Sequence, residues 1–378
     1  MTGLAMGDLD KRQLGAIVGH LAAGIRRKLR QPAAGDMQRG SDVVTVRLKK
    51  SDVPWHGILT AHASIMGTRP TQQDALYVDD DAVFAEGQAA AVLGVVCDGM
   101  GGMEDGERAS SMAVESLRSE FRRAFADAGA SAMPATDVRK FLDSAIRKLN
   151  HEIFNMGCDD GGAPAGGPMR LGIAGPEAAQ AEVARAGAAQ AEVARAGAAW
   201  QGQSDAARGM TAAGAAQAAS FAGRAGTTLV ASVVVNDRAY WASVGDSRIY
   251  IYRRGYLARL TRDHSYSLVL REMVRNGEIA EADAQNDRAR NALISFIGME
   301  NLTIVDICES PLPLENGDIV LLCSDGLVKA LTDEAIAMTM SRHFGNLNEM
   351  AKRLPMAAQD AKTRGLDNTS VVLLQFIE

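Results

Sequence analysis

Apolar residues in this chain gather into short unbroken runs, several of which stop at a carboxylate. Leu93, Val95, Val96 and Cys97 lead into Asp98, Gly99, Met100, Gly101 and Gly102. Ile319 to Cys323 lead into Ser324, Asp325 and Gly326, while Asp367, Asn368, Thr369 and Ser370 open the run Val371 to Leu374. Apolar runs of this length between turn signals read as buried strands. A carboxylate at a strand end is held rigidly, and a neighbouring glycine lets the backbone approach a ligand. Three aspartates placed this way predict one oxygen-lined metal site assembled from distant parts of the chain.

The remaining pattern adds strands and two long helices. Val44, Val46 and Leu48 alternate with Thr45 and Arg47, and Ile58, Leu59 and Ala61 to Ile65 precede a turn at Gly67. Ala75 to Tyr77 and Val83 to Ala85 predict a hairpin pair. Leu229 to Val235 and Ala239 to Val244 flank a turn at Asn236-Asp237, and Ile249 to Tyr252 and Tyr256 to Leu260 flank Arg253-Arg254-Gly255. Helical period appears over Ala109 to Phe125 and over Ala135 to Phe154, the second capped by Thr136 or Asp137. Many short strands with hairpin turns, interrupted by helical pairs, argue for an α+β class over a doubly wound parallel sheet.

Two segments break this pattern. Leu14, Ile17, Val18, Leu21, Ile25 and Leu29 form a helical stripe with basic residues crowding its ends. Such a helix suits an anionic membrane surface, a docking partner, or packing on its own domain. Residues 1–42 therefore read as a basic extension whose linker runs from Pro32 to Gly40, and 43–378 as the main domain. That domain is interrupted at about 158–225 by Ala/Gly-rich sequence, in which Ala178 to Gly187 recurs unchanged as Ala188 to Gly197. With few large apolar residues it predicts an exposed insertion without a catalytic role.

Composition narrows the function classes. The 378 residues are 47% hydrophobic, ample for a sizeable core. A formal net charge of -6 and a pI near 5.6 argue against a nucleic-acid binder. The four cysteines lack metal-ligand spacing and fit a reducing cytoplasm. No apolar run approaches the roughly 18 residues of a membrane span, and the N-terminus lacks signal-peptide character.

Arg69-Pro70-Thr71-Gln72-Gln73-Asp74, Gly226-Thr227-Thr228-Leu229 and Val244-Gly245-Asp246-Ser247-Arg248 stand in a fixed order with the three aspartate motifs. From about Gly57 to Glu378, apart from the insertion, this series resembles the metal-dependent type 2C protein serine/threonine phosphatases, in a bacterial form. The resemblance implies two packed antiparallel sheets flanked by helical pairs, an α-β-β-α sandwich with the site at one end. It implies that Arg69 grips the substrate phosphate and that Asp98 bridges two metals. Asp325 and Asp367 then complete one metal, the carbonyl of Gly99 serves the other, Asp74 acts through water, and Asp246 helps hold a weaker third ion. All-oxygen ligation favours Mn2+ or Mg2+ over zinc. Thr261 to Ser265 match a further family signature, in which Asp263 and His264 read as caps of the next helix. Ser267 to Asn276, Glu281 to Arg290 and Leu293 to Gly298 resemble a helical flap.

The implied chemistry is hydrolysis of phosphoserine and phosphothreonine by a metal-activated water, because divalent cations generate a nucleophile and neutralise developing charge. Partners would be phosphorylated proteins and, opposing it, a serine/threonine kinase. Two positions depart from the family. Gln73 stands where many members have Glu, and Met100 where many eukaryotic members have His. Gln73 motivates a second reading, a phosphoprotein-binding pseudophosphatase with weak or no turnover, and the appendages motivate a third, a scaffold.

Overall fold

The apolar runs are strands covered on both faces. The computed structural model describes residues 55–85, 90–101, 103–126, 135–159, 225–302, 304–361 and 365–378. The predicted N-terminal helix, its linker, the strand at 44–48 and all but the edges of the insertion lie outside these residues.

Strands β1 (Trp55–Ile65), β2 (Asp74–Val78), β3 (Ala82–Ala85) and β4 (Ala91–Met100) precede helices α1 (Met103–Ala126) and α2 (Ala135–Asp159). Then come β5 (Gly226–Thr227), β6 (Leu229–Val235), β7 (Arg238–Val244), β8 (Arg248–Arg253) and β9 (Tyr256–Arg259), followed by α3 (Ser267–Arg275) and α4 (Glu281–Asn286). Strands β10 (Asp306–Ile307), β11 (Leu312–Pro313) and β12 (Ile319–Cys323) lead to α5 (Asp325–Ala330), α6 (Asp333–Arg342), α7 (Leu347–Ala361) and β13 (Thr369–Ile377). One sheet runs β3-β1-β13-β12-β8-β9 and the other β10-β7-β6-β4-β2, with β11 on β7 and β5 on β4. Neighbours in both pair antiparallel.

Side chains of the first sheet alternate between two cores. Val320, Leu322, Val372, Leu374, Ile249 and Ile251 join one core with the second sheet, α1 and α2. Their neighbours Ile319, Leu321, Cys323, Val371, Leu373 and Tyr250 join another with α5, α6 and α7. A strand buried on both faces needs apolar residues at every position, which is why these runs are continuous. The α-β-β-α sandwich follows, with strand ends free to meet at one rim.

Three local expectations change. The segments 75–77 and 83–85 do not form a hairpin: β2 pairs with β4 and β3 with β1, in different sheets. Carboxylates anchor the crossover between them, since Asp79 accepts from the Leu93 N–H of β4 at 2.9 Å and Asp81 from the Thr60 N–H of β1 at 2.7 Å. The flap is helical only as far as Asn286. Ile297 instead exchanges both backbone hydrogen bonds with Thr227, at 2.8 and 3.0 Å, so this apolar stretch docks as a short β-bridge. Asp263 and His264 do not cap α3, whose N-cap, Tyr266, makes no side-chain cap bond. Asp263 binds Arg248 and Arg259. His264 is fully buried, its Nδ1 accepting from the Gly245 N–H at 3.2 Å. No described helix is long and apolar enough to cross a membrane.

Candidate metal centre

Antiparallel register sets Asp74 directly opposite Asp98 on adjacent strands. Directly opposed residues share a face of the sheet, so the two carboxylates are neighbours. The backbone of Asp98 is pinned by two threonines: its N–H donates to Thr228 Oγ1 at 3.0 Å, and its carbonyl accepts from the Thr228 N–H and Thr227 Oγ1. Gly99 is needed for close approach rather than for an unusual turn, because a Cβ there would lie 2.1 Å from the Gly106 carbonyl oxygen. Asp246 follows Gly245, whose φ of +103° is a region that glycine adopts without penalty.

The fourth and fifth carboxylates come from the other sheet. Asp325 opens α5, and Gly326 brings it against the chain at Asn368, where a Cβ on Gly326 would lie 2.0 Å from the Asn368 carbonyl oxygen. Ser324, the N-cap residue, spends its hydroxyl on Asp74 Oδ2 at 2.7 Å while accepting from the Ser370 N–H, so it stitches the two sheets beneath the site. Asn368 ties in the loop that carries Arg69. Its amide donates to the carbonyls of Met66 and Thr71, and its oxygen accepts from the Gln73 N–H at 2.8 Å. Arg69 thereby reaches Asp367 Oδ2 at 2.7 Å.

Arg69, Asp98, Gly99, Asp246, Asp325 and Asp367 line one cleft of about 650 Å³, and the buried Asp74 stands opposite Asp98 on the neighbouring strand. Gln73 and Met100 also line it. The Gln73 side-chain nitrogen is turned towards Gly106 at the start of α1, and its backbone carbonyl accepts from Ser110 and Gly99. Sequence reasoning quoted Thr228 and Ser324 within motifs without giving either a role, and passed over Lys329. The last had a usable signal, because residues four apart on a helix face the same way and Lys329 follows Asp325 by that interval. Its ammonium bonds Asp325 and stands 3.5 Å from Asp367.

So many acids in one place strain each other. Burial, then the fields of neighbouring carboxylates, pushes Asp98 well above its usual range. Asp74 is pushed up to about 7 by burial and by Asp325 and Asp367, against the Ser324 hydrogen bond. Asp246 rises to about 7 through burial and Asp325, and burial also raises Asp325 although Lys329 opposes it. Asp367 is the exception: despite burial, Arg69 and Lys329 hold it below normal.

Among the described residues no three His, Cys, Asp or Glu side chains already stand around one point for a metal ion. Magnesium and similar ions, however, bind through one or two carboxylates and keep several waters. Two features fit such an ion: Asp74 Oδ1 and Asp325 Oδ1 are buried without a hydrogen-bond partner, and every donor in the cluster is an oxygen.

The sign of the pH response follows. A carboxyl whose folded pKa exceeds its unfolded value near 3.8 holds its proton more tightly when folded. The contribution of Asp74 and Asp246 to stability is then greatest at low pH and is lost as pH rises from about 4 to about 7. Asp367 acts in the opposite sense, one group against four. Chelator-treated protein is expected to melt at a lower temperature at pH 7.5 than at pH 5.5, and saturating manganese to narrow the gap. Melting that rises with pH without metal would contradict the acid cluster.

The comparisons with known proteins agree with this architecture. Residues 67–360 match the family model described as protein phosphatase 2C. The serine/threonine phosphatase stp of Listeria innocua is 35% identical over 150 residues, 40% of this chain and 56% of that protein. Protein phosphatase PhpP of Streptococcus pneumoniae is 29% identical over 177 residues, 47% of this chain and 63% of the relative. The chain thus spans somewhat over half the length of these curated relatives. Among solved structures, the S. agalactiae serine/threonine phosphatase superposes with a TM-score of 0.56 at 25% identity, covering 85% of this chain and all of that one. The catalytic domain of PstP, solved with two manganese ions, shares the fold at 22% identity and a TM-score of 0.53, with the same coverage. With the family model spanning most of the chain and the strand-end aspartates meeting in one cleft, this chain belongs to the protein phosphatase 2C family.

Proposed function

We propose that the protein hydrolyses phosphoserine and phosphothreonine in other proteins at a two-metal centre. The observation that carries this reading is the convergence of Arg69 with Asp98, Asp325 and Asp367 on one cleft. Asp98 would bridge the cations, Asp325 and Asp367 would hold one of them, and the Gly99 carbonyl would serve the other. Asp74 would act through water and Asp246 would help hold a weaker third ion. Bound Mn2+ or Mg2+ would activate a water as nucleophile and neutralise charge developing on the phosphoryl group; manganese is the ion in the PstP structure.

Arg69 supplies the phosphate grip. Its guanidinium is always charged and can hold two phosphate oxygens at once, and at 52% exposure it can exchange Asp367 for substrate without unfolding anything. Asn291, Ala292, Leu293 and Phe296 line the same cleft beyond α4, where a phosphoprotein's flanking residues would lie. A serine/threonine kinase acting on the same proteins and a cytoplasmic setting belong to this proposal.

The test is turnover of a phosphothreonine peptide. Activity is expected with manganese or magnesium and is expected to vanish on exhaustive chelation. Turnover that survives chelation would remove the metal from the mechanism. The neutral amide of Gln73 favours one alternative, phosphoprotein binding without hydrolysis, and metal-dependent peptide binding with no phosphate release would establish it instead.

A further inference from the structure

The acid cluster already holds a cation of its own. Lys329 stands one helical turn after Asp325 on α5, bonds that carboxylate, and lies 3.5 Å from Asp367 Oδ2. These are the two carboxylates assigned above to a single metal. A hydrated divalent ion and an ammonium draw on the same pair of carboxylates, and like charges crowded there disfavour each other. We infer that Lys329 is a built-in competitor of the divalent cation at Asp325 and Asp367, and that loading this metal requires its displacement. The inference rests on the metal centre of the proposed function.

Displacement is feasible without opening the fold. The Lys329 side chain is 50% exposed, and its four-carbon stem is flexible, so the ammonium can swing into the cleft it lines beside Arg69. Lysine does not exhaust Asp325 either, because Oδ1 is buried and has no hydrogen-bond partner. Asp74 is held differently, by the neutral hydroxyl of Ser324. The centre therefore has two unequal halves: one already charge-compensated by the Lys329 ammonium and, at Asp367, by the Arg69 guanidinium, the other, at Asp74, held by a neutral hydroxyl. A site that is competent only part of the time shows an apparent affinity reduced by that fraction. The half containing Lys329 fills at higher metal concentration, and the residue sets a threshold for it.

Calorimetric titration of Mn2+ into the chelator-stripped full chain tests this, with wild type, Lys329→Gln, Lys329→Met and Lys329→Arg compared and the melting temperature of each recorded. Gln and Met remove the charge and are expected to tighten the weaker binding step about tenfold or more. Arg keeps the charge and is expected to leave that step as weak as in wild type. Unchanged or weaker manganese binding by folded Gln and Met variants would overturn the inference, Lys329 then serving to order Asp325. A wild type that takes up no manganese would instead overturn the metal centre itself, and this inference with it.

Discussion

Asp98→Asn is expected to lower phosphopeptide turnover on the order of a thousandfold while leaving the metal-free fold intact or slightly more stable. The loss follows from charge: a bridging carboxylate replaced by an amide withholds several kcal/mol of electrostatic stabilisation, and each 1.36 kcal/mol is a factor of ten. The fold should survive because its claims on Asp98 are backbone bonds to Thr227 and Thr228, which Asn keeps. Metal-free stability should hold or rise, because the substitution removes one of several mutually repelling buried acids. Peptide kinetics, manganese calorimetry and melting temperature on one preparation check all three. Wild-type turnover in Asp98→Asn would move the centre elsewhere in the cleft.

Gly326→Ala is the second large effect, and it works through geometry. The added methyl would lie 2.0 Å from the Asn368 carbonyl oxygen and 2.6 Å from Thr369 Oγ1, and backbone cannot step aside as a flexible side chain would. Overpacking of this kind costs about 1–3 kcal/mol or more, which at this size lowers the melting temperature by several degrees. Separating α5 from Asn368 also separates Asp325 from Asp367, so manganese affinity is expected to fall along with stability. A variant with wild-type melting and wild-type manganese binding would show that this approach is not what holds the two carboxylates together.

Sequence alone determined the long apolar strands, the class and which carboxylates stand at strand ends. Continuous apolar runs such as Ile319 to Cys323 arise only when both faces of a strand are covered, so burial was written into composition before any contact was known. The order of Arg69, Asp98, Asp246, Asp325 and Asp367 along the chain carried the family likeness, because each motif is local. Reading Asp-Gly as a turn was only half of the matter, since Gly99 answers to the backbone of Gly106 and Gln73, and Gly326 to that of Asn368 from a distant segment. The pairing of β2 and β3 was hidden for a related reason: their sequences allow a hairpin, and it is Asp79 and Asp81, bonded to different sheets, that send the chain across. The tie from Ser324 to Asp74, and the grip of Asn368 on the Arg69 loop, span some 250 to 300 residues of chain. Propensity and periodicity act over a few residues, whereas these contacts exist only once two sheets have packed. For that reason tertiary structure alone decided which acids share a cleft, that Lys329 also reaches Asp367, and where Arg69 points.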